Sequence, residues 1–228
     1  MEPNETLDFS SILASSIHDM KNSIGMVLNS LEEMISDEGG TVCTPERASQ
    51  LQYEARRVND NLIQLLTLYK GENDRLAVNV SEHSVHDFLE ERMLHSKSML
   101  NFRGIELEID CDEDLEWYFD QELVAGVLNN ALDNAVRYTK DKLRLAAEVK
   151  DDFLVLHLED NGGGFPPSML VSGAPDGTAV SFNSGRTGLG LYFSSLVAAV
   201  HTNRDRKGYI EQSNGGVLGG GVFSVYLP

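Results

Sequence analysis

Two helical segments with seven-residue apolar repeats constrain the fold of this chain more than any other feature. Between Phe9 and Ser36 the apolar residues recur at alternating steps of four and three, at Leu13, Ile17, Met20, Ile24, Val27, Leu31 and Met34. A second series with the same steps follows Thr44-Pro45-Glu46, at Leu51, Ala55, Val58, Leu62, Leu65 and Tyr69. This spacing is typical of helices that pack along a seam. The pattern predicts an antiparallel helical hairpin over residues 1–75.

A hairpin of two helices leaves one side of its seam in water, so it needs a further surface to pack against. A second copy of the same hairpin completes a four-helix bundle, and we therefore expect a homodimer. A coiled-coil stalk would have the same seam, but it would not explain the polar group that the first helix carries.

That polar group consists of His18, Asp19 and Asn22. At about 100° per residue, His18 lies roughly 130° from the apolar stripe and is expected to face solvent. Asn22 follows at a spacing that brings side chains together on a helix. A neutral imidazole is a nucleophile, and a carboxylate that accepts its other ring proton raises its reactivity. The group therefore predicts His18 as a nucleophile and Asp19 as its base.

The charge of the chain limits its partners. The 228 residues include 36 acidic and 18 basic side chains, which give a net charge of −18. Nucleic acids and anionic membranes are bound through clustered cations, so neither is an expected partner. There is no signal peptide and no apolar run long enough to span a bilayer, and Cys43 and Cys111 have no disulfide or metal spacing. These features predict a cytoplasmic protein without a membrane segment.

Residues 76–228 have a different pattern, in which short strands alternate with helices. Helical spacing occupies residues 85–100, 122–138 and 189–200, and strand patterns occupy residues 105–109, 116–119, 143–149, 153–158, 209–213 and 222–227. This order predicts an α+β sandwich with mostly antiparallel strands and with helices on a single face of the sheet. We place a domain boundary between residues 75 and 76, after the linker-like Gly71-Glu72-Asn73-Asp74.

The helix predicted over residues 122–138 carries four polar side chains opposite its apolar face, namely Asn130, Asp133, Asn134 and Arg137. Asparagine amide oxygens are suitable ligands for Mg²⁺, which can in turn lie on phosphates. A solvated helix face has the same pattern, so this helix alone does not decide between the two interpretations.

Two glycine-rich segments favour a nucleotide site. Asp160 ends a strand, and Asn161-Gly162-Gly163-Gly164-Phe165 follows it with a backbone that can approach a flat ring closely. A carboxylate at that point can accept a hydrogen bond from an exocyclic amino group, which favours adenine. Thr187-Gly188-Leu189-Gly190-Leu191 opens a helix, where unpaired N–H groups and the helix dipole attract phosphate. Residues 165–187 between them have the composition of a long functional loop.

In this order the segments resemble the motifs of sensor histidine kinases of two-component systems. Residues 128–139 resemble the N box, residues 160–165 and 187–191 the first and second glycine boxes, residues 18–22 the phospho-acceptor H box and residues 219–223 a final glycine box. The resemblance implies a dimerisation and histidine-phosphotransfer hairpin over residues 1–75. It also implies a catalytic ATP-binding domain of the Bergerat type over residues 76–228, with ATP and Mg²⁺ as cofactors.

The resemblance further implies roles for individual residues. Asn134 would hold Mg²⁺, Asn130 and Arg137 would lie near the phosphates, Tyr138 would lie near the nucleotide and Asp160 would bind adenine. Further nucleotide contacts are implied at Gly162, Gly164, Arg186, Thr187, Gly188, Leu189 and Gly190. Residues 165–187 would form the ATP lid, in which Arg186 replaces the usual first glycine of the second box and no clear phenylalanine box is present.

The activity implied by this resemblance is autophosphorylation of His18 from Mg-ATP, followed by transfer of the phosphoryl group to an aspartate of a response-regulator receiver domain. Asn130 has an amide where hydrolytic relatives have a glutamate base, which favours transfer over hydrolysis. Asn22 matches the amide that orients water in receiver dephosphorylation, so a phosphatase activity is also expected.

Two other functions remain open. A non-catalytic histidine phosphotransferase or scaffold would keep the hairpin and use a degenerate nucleotide domain to dock partners, and a serine kinase would keep the nucleotide motifs alone. His83, His86 and His95 also suggest a metal site, but no acidic or cysteine partner stands at a suitable spacing, so surface histidines are the favoured interpretation.

Overall fold

The computed structural model of the chain describes residues 20, 22–28, 45–72, 76–170 and 188–228. Residues 22–28 belong to a helix that we label α1. The remaining helices are α2 (Pro45–Glu72), α3 (Val85–Arg103), α4 (Gln121–Tyr138) and α5 (Gly188–Val200), and Pro167–Met169 form a 3₁₀ turn. The strands are β1 (Ser81–Ser84), β2 (Glu106–Asp110), β3 (Glu116–Phe119), β4 (Lys142–Lys150), β5 (Phe153–Asp160), β6 (Thr202–Asn203), β7 (Arg206–Lys207), β8 (Tyr209–Gly215) and β9 (Gly220–Leu227).

The main sheet has five strands in the order β2-β4-β5-β9-β8. The β2–β4 pair is parallel, and the other three pairs are antiparallel. Two small antiparallel ribbons, β1–β3 and β6–β7, complete the strands of the described residues. The predicted α+β sandwich is confirmed. Its parallel edge pair and the short strands β1, β6 and β7 were not predicted.

Helices α3, α4 and α5 cover one face of this sheet. In β5 the alternate residues Leu154, Leu156 and Leu158 belong to the same buried cluster as the apolar residues of α4 and α5. The opposite face of the sheet carries polar groups, among them Arg144, which forms ion pairs with Asp110 and Glu159. Because successive strand residues point to opposite faces, this division follows from the sequence alternation.

The β4–β5 hairpin turns through two aspartates in an unusual backbone conformation. Asp151 and Asp152 have φ values of 51° and 61°, as a two-residue turn between twisted strands requires. The Arg206 side chain donates to the Asp151 carbonyl over 2.6 Å and to the Asp152 carboxylate over 2.7 Å. These contacts hold the turn against the β6–β7 ribbon.

Helix α2 presents two different faces. Leu68 is fully buried in the same core cluster as α4 and α5, and Gly71 lies against Leu196 of α5. The other side of α2 carries exposed apolar residues, at Leu62, Ile63, Leu66 and Tyr69. At about 100° per residue the two stripes lie on roughly opposite sides of the helix.

The predicted first helix and the connection to the second lie largely outside the described residues, so the helical hairpin remains a prediction. The domain boundary between residues 75 and 76 is likewise a prediction. Among the helices of the described residues, none combines the length and the apolar character needed to cross a bilayer.

Candidate functional site

Two adjoining cavities lie beside the polar face of α4. The larger, about 240 Å³, is mostly apolar, and we call it the apolar cavity; it is lined by Asn130, Ala131, Asn134, Ala135, Tyr138, Leu158, Asp160, Gly164, Phe165, Pro166, Met169, Leu191, Gln212 and Phe223. The smaller, about 50 Å³, is the polar cavity and is lined by Arg57, Asp60, Asn61, Gln64, Asn130, Asp133, Asn134, Arg137, Leu189 and Gly190. Asn130 and Asn134 line both cavities. The site therefore has an apolar half and a polar half joined at two amides.

The start of α4 is anchored by two side chains outside the cavities. Asp120 caps the helix, since its Oδ1 accepts from the Leu123 N–H over 3.1 Å and its Oδ2 from the Asn79 N–H over 2.7 Å. Nε2 of His201, at the end of α5, accepts from the Asp120 N–H over 3.0 Å, while its Nδ1 donates to the Val197 carbonyl over 2.7 Å. Burial lowers the pKa of His201, consistent with this neutral form. These contacts fix where α4 begins and hence where its asparagines point.

Asp160 provides a carboxylate at the end of β5. It is largely buried, and its Oδ1 accepts from the Gly162 N–H over 2.6 Å. Gly162 packs so closely that an added Cβ would lie 2.1 Å from the Tyr138 carbonyl oxygen. Gly162 thus links Asp160 to the end of α4, since it donates to the carboxylate and packs against the Tyr138 carbonyl.

Two asparagines hold the loop that follows Asp160. Oδ1 of Asn161 accepts from the Thr139 hydroxyl over 3.0 Å and from the N–H groups of residues 140, 141 and 142 over 3.2 Å. Asn214 of β8 accepts from the Phe165 N–H over 2.6 Å and donates to the Phe165 carbonyl over 2.8 Å. The loop is therefore tied to the α4–β4 connection at one end and to β8 at the other.

Two glycines of β9 leave room around the Asp160 carboxylate. An added Cβ would lie 2.5 Å from Oδ1 at Gly220 and 2.7 Å from Oδ2 at Gly221. Gly164 has a φ of 77°, which L side chains rarely adopt, and an added Cβ there would lie 2.7 Å from Oδ1 of Asn214. A carboxylate in such a cradle, beside a mostly apolar cavity, suits a flat ring with an exocyclic donor group.

The start of α5 closes the site against α4. An added Cβ at Gly190 would lie 2.2 Å from Oδ1 of Asn130, so only glycine permits this approach. Leu189 and Gly190 line the polar cavity, and Gly188 begins the helix. The first N–H groups of α5 thus lie next to the polar cavity, and such groups attract anions.

Helix α2 forms the remaining wall of the polar cavity. Its Tyr53 hydroxyl donates to Oδ1 of Asp133 over 3.4 Å. Burial raises the pKa of Asp133 to about 6, although the Arg137 charge opposes this change. Burial also raises the pKa of Tyr53 to about 12. The polar face of α4 is therefore covered by protein over part of its length.

The structure brings together most of the residues predicted from the sequence motifs. Asn130, Asn134, Tyr138, Asp160 and Gly164 line the apolar cavity, and Asn130, Asn134, Arg137, Leu189 and Gly190 line the polar cavity. Gly162 lies behind the Asp160 carboxylate. Asn22 lies in α1, whereas His18, Asp19, Arg186 and Thr187 lie outside the described residues.

Several residues of the site were not predicted. Gln212, Asn214 and Phe223 come from β8 and β9, and Tyr53 and Arg57 come from α2. The sequence signal for Gln212 is a polar residue at a position of β8 that points toward the core, two residues after the buried Ile210.

The prediction that the surface histidines have no acidic partner is wrong for His86. Its ring and the carboxylates of Asp87 and Glu90 offer atoms within 4.8 Å of one another on one turn of α3. The turn is largely exposed, and none of these three residues lines either cavity, so the cluster is not part of the site.

The family comparison matches the part of the chain that forms the apolar cavity and the α4 and α5 walls of the polar cavity. Residues 119–228 match the histidine kinase-, DNA gyrase B- and HSP90-like ATPase family. The sensor protein SrrB of Staphylococcus aureus is 22% identical over 200 residues, which are 83% of this chain and 34% of SrrB. The chain thus spans about a third of the length of the curated relatives it matches.

Solved structures share the fold. The Acinetobacter baumannii histidine kinase AdeS has a TM-score of 0.61 at 23% identity, with 92% of this chain and 96% of that chain covered. The catalytic domain of histidine kinase ThkA has a TM-score of 0.54 at 19% identity, with 66% of this chain and 96% of that domain covered. Residues 119–228 therefore match a histidine kinase-, DNA gyrase B- and HSP90-like ATPase domain, and the chain shares its fold with the two histidine kinase structures.

Proposed function

We propose that this chain is the catalytic core of a histidine kinase that phosphorylates His18 from Mg-ATP and passes the phosphoryl group to an aspartate of a response-regulator receiver domain. The observation that carries the proposal is the pair of adjoining cavities that share Asn130 and Asn134. A nucleotide has an apolar, planar base and a charged phosphate chain, and the two cavities differ in the same way.

The apolar cavity suits the base. Asp160 offers a carboxylate that can accept from the adenine amino group, and Gly220 and Gly221 give that carboxylate space. Tyr138 and Phe165 line the same cavity and can flank the nucleotide.

The polar cavity suits the phosphates. The amide of Asn130, the guanidinium of Arg137 and the first turn of α5 offer donors that can neutralise phosphate oxygens. The amide oxygen of Asn134 is suited to hold Mg²⁺, which supplies charge neutralisation at the phosphates when bound. Arg186 and Thr187 remain proposed contacts of the lid.

The chemistry assigned to His18 is an in-line substitution. A ring nitrogen of His18 forms a bond to the γ-phosphorus, the bond from that phosphorus to the bridging oxygen breaks, and ADP leaves with the electron pair. Asp19 accepts the proton from the other ring nitrogen. A receiver aspartate then takes the phosphoryl group, and Asn22 orients the water that later removes it from the receiver.

Assembly belongs to the same proposal. The exposed apolar residues of α2 fit a homodimeric four-helix bundle. The phosphorelay role and the cytoplasmic location expected from the sequence are also parts of this proposal.

Incubation with γ-labelled ATP and Mg²⁺ tests the proposal. We expect acid-labile label on the wild type, none on His18→Gln, and a strong loss on Asn134→Ala. His95→Gln is the matched control, because it removes an exposed histidine of α3 and is expected to keep the label. Label that survives His18→Gln would contradict the acceptor assignment.

The same experiment separates the kinase from the scaffold alternative. A wild-type chain that neither binds ATP nor acquires label would favour the non-catalytic phosphotransferase or scaffold. Transfer of label from the phosphorylated chain to a receiver domain, with loss of transfer when the receiver aspartate is replaced, would support the second step.

A further inference from the structure

Gln212 is a buried polar residue that the fold itself does not explain. It lies on β8, it is only 6% exposed, and it lines the apolar cavity. Its Oε1 has no hydrogen-bond partner in the described part of the chain. An unsatisfied buried amide destabilises a folded protein. An unpaired amide that lines a cavity therefore points to a ligand that supplies the missing hydrogen-bond partner.

The strand register places Gln212 on the floor of the apolar cavity. Gln212 pairs with Phe223 of β9, and Phe223 pairs with Leu158 of β5. Cross-strand partners point to the same face of a sheet, and all three residues line the cavity. Asp160 stands two residues beyond Leu158 and therefore points to the same face.

The space between these groups is kept open by glycine. Gly221 lies on β9, the strand between β8 and β5, and an added Cβ there would meet the Asp160 carboxylate at 2.7 Å. Much of the remaining lining is apolar, with Ala131, Ala135 and Met169 among it. A carboxylate and an amide thus face one mostly apolar cavity.

We propose that Gln212 is a second base-reading residue, which accepts a hydrogen bond from the adenine amino group and donates one to a neighbouring ring nitrogen. This assignment rests on the proposed function, since it concerns the base of the same nucleotide. Adenine presents a donor and an acceptor side by side, and a primary amide matches that pair. Asp160 offers acceptors alone, so the two side chains read the amino group together.

Guanine has a carbonyl oxygen where adenine has the amino group. An amide can adapt to this change by rotating through 180°, but a carboxylate cannot, because it has only acceptors at neutral pH. Asp160 therefore supplies most of the discrimination against guanine. Gln212 supplies affinity for adenine and part of the dependence on its amino group.

Binding of two nucleotides to the full chain tests this inference. We would measure the Kd of ATP and of purine riboside 5′-triphosphate, which lacks the 6-amino group, each with Mg²⁺. For Gln212→Leu we expect about tenfold weaker ATP binding and a several-fold smaller preference for ATP over the analogue, as the loss of one or two hydrogen bonds implies. Urea unfolding of the nucleotide-free variant should give equal or higher stability, because an unpaired buried amide has been removed.

Asn129→Leu is the matched control. The amide oxygen of Asn129 also lacks a partner among the described residues, but Asn129 lines neither cavity. We expect its ATP affinity and its preference over the analogue to equal those of the wild type. A Gln212→Leu variant that binds ATP with wild-type affinity, or keeps the wild-type preference, would overturn the inference.

Gln212→Glu covers the case in which the leucine variant does not fold. It keeps an acceptor for the amino group and loses the N–H donor, so we expect weaker ATP binding with the preference over the analogue retained. Unchanged ATP affinity in this variant would also overturn the inference. A wild-type chain that binds no ATP would instead contradict the proposed function itself, and the two failures are thereby distinguished.

Discussion

Gly162 and Gly163 are neighbours in the sequence but occupy different environments. A Cβ at Gly162 would lie 2.1 Å from the Tyr138 carbonyl oxygen and 2.9 Å from Oδ1 of Asp160, whereas a Cβ at Gly163 would meet nothing within 4 Å. The close approach at Gly162 lets its N–H reach the Asp160 carboxylate. Only one of the two glycines is therefore required by packing.

Alanine substitutions at these two positions test the difference in packing. Gly162→Ala forces the Asp160 loop away from α4, and we expect a stability loss of about 1–3 kcal/mol and at least about tenfold weaker ATP binding. Gly163→Ala should leave the stability close to that of the wild type and the Kd for ATP within about twofold of the wild-type value. Urea unfolding and calorimetric titration with ATP measure these effects, and equal behaviour of the two variants would contradict the packing argument.

Sequence motifs predicted those site residues whose arrangement is set within one helix or one strand. Asn130 and Asn134 share a helix face because of their spacing, and Asp160 ends a strand, so both features were readable from sequence. Gln212 and Asn214 reach the site only through the pairing of β8 with β9 and of β9 with β5. No local pattern encodes that pairing, and these residues were missed for that reason.

At the scale of elements, α2 differs most from its prediction. The apolar repeat that ends at Tyr69 predicted one packing seam, but a second stripe packs on the ATPase domain. That stripe is polar at Arg57, Asp60 and Gln64 and apolar at Leu68. A stripe that changes from polar to apolar along its length has no single hydrophobic period, so a pattern search does not detect it.

The contact between α2 and α4 predicts a dependence of stability on pH. Asp133 has a pKa of about 6 in the folded chain, above the ordinary value of 3.8, because it is buried. The folded state then binds the Asp133 proton more tightly than the unfolded chain does. The stabilisation that comes from this tighter binding is therefore lost as the pH rises from about 4 to 6. We expect Asp133→Asn, which cannot ionise, to be more stable than the wild type at pH 7–8 by roughly 1–3 kcal/mol, with the difference vanishing near pH 4.

Urea unfolding at a series of pH values measures this difference. Tyr53→Phe is a second test of the Asp133 assignment, because the Tyr53 hydroxyl lowers the pKa of Asp133 through its hydrogen bond. Removal of this hydroxyl should raise the pKa of Asp133 further, so the loss of stability with rising pH should continue to a higher pH than in the wild type. A difference between Asp133→Asn and the wild type that stays constant from pH 4 to 8 would refute this assignment.

The boundaries of the other elements were predicted to within a few residues, because their apolar alternation is local. The exceptions have physical causes. β1 has the sequence Ser-Glu-His-Ser, which carries no apolar alternation and is held by pairing with β3. The parallel pairing of β2 with β4 joins segments separated by a strand and a helix, so its direction was not encoded locally.

At the scale of the whole molecule, the exposed side of α2 is the surface on which the proposed dimer depends. Leu62 is 47% exposed and Leu66 is 58% exposed, and they lie one turn apart. Burying a leucine contributes about 1.5–3 kcal/mol, and a symmetric dimer buries each one twice.

We expect Leu62→Asp with Leu66→Asp to raise the dimer dissociation constant at least about 100-fold, as the loss of several buried leucines implies. Leu94→Asp is the matched control, because Leu94 of α3 is 60% exposed and lies outside the proposed bundle. Sedimentation equilibrium of the three proteins measures the effect. A monomeric wild type, or a dimer that persists in the double variant, would contradict the homodimer.

The walls of the polar cavity come from α2 on one side and from α4 and α5 on the other. Any ligand that fills it touches both sides, so its binding free energy depends on their separation. Thermodynamic linkage then requires the converse: a ligand that binds better at one separation favours that separation by the same factor. Ligand occupancy of this cavity and the position of α2 are therefore thermodynamically coupled. A displacement of α2 would change the affinity for the ligand without any change in the residues that line the cavity.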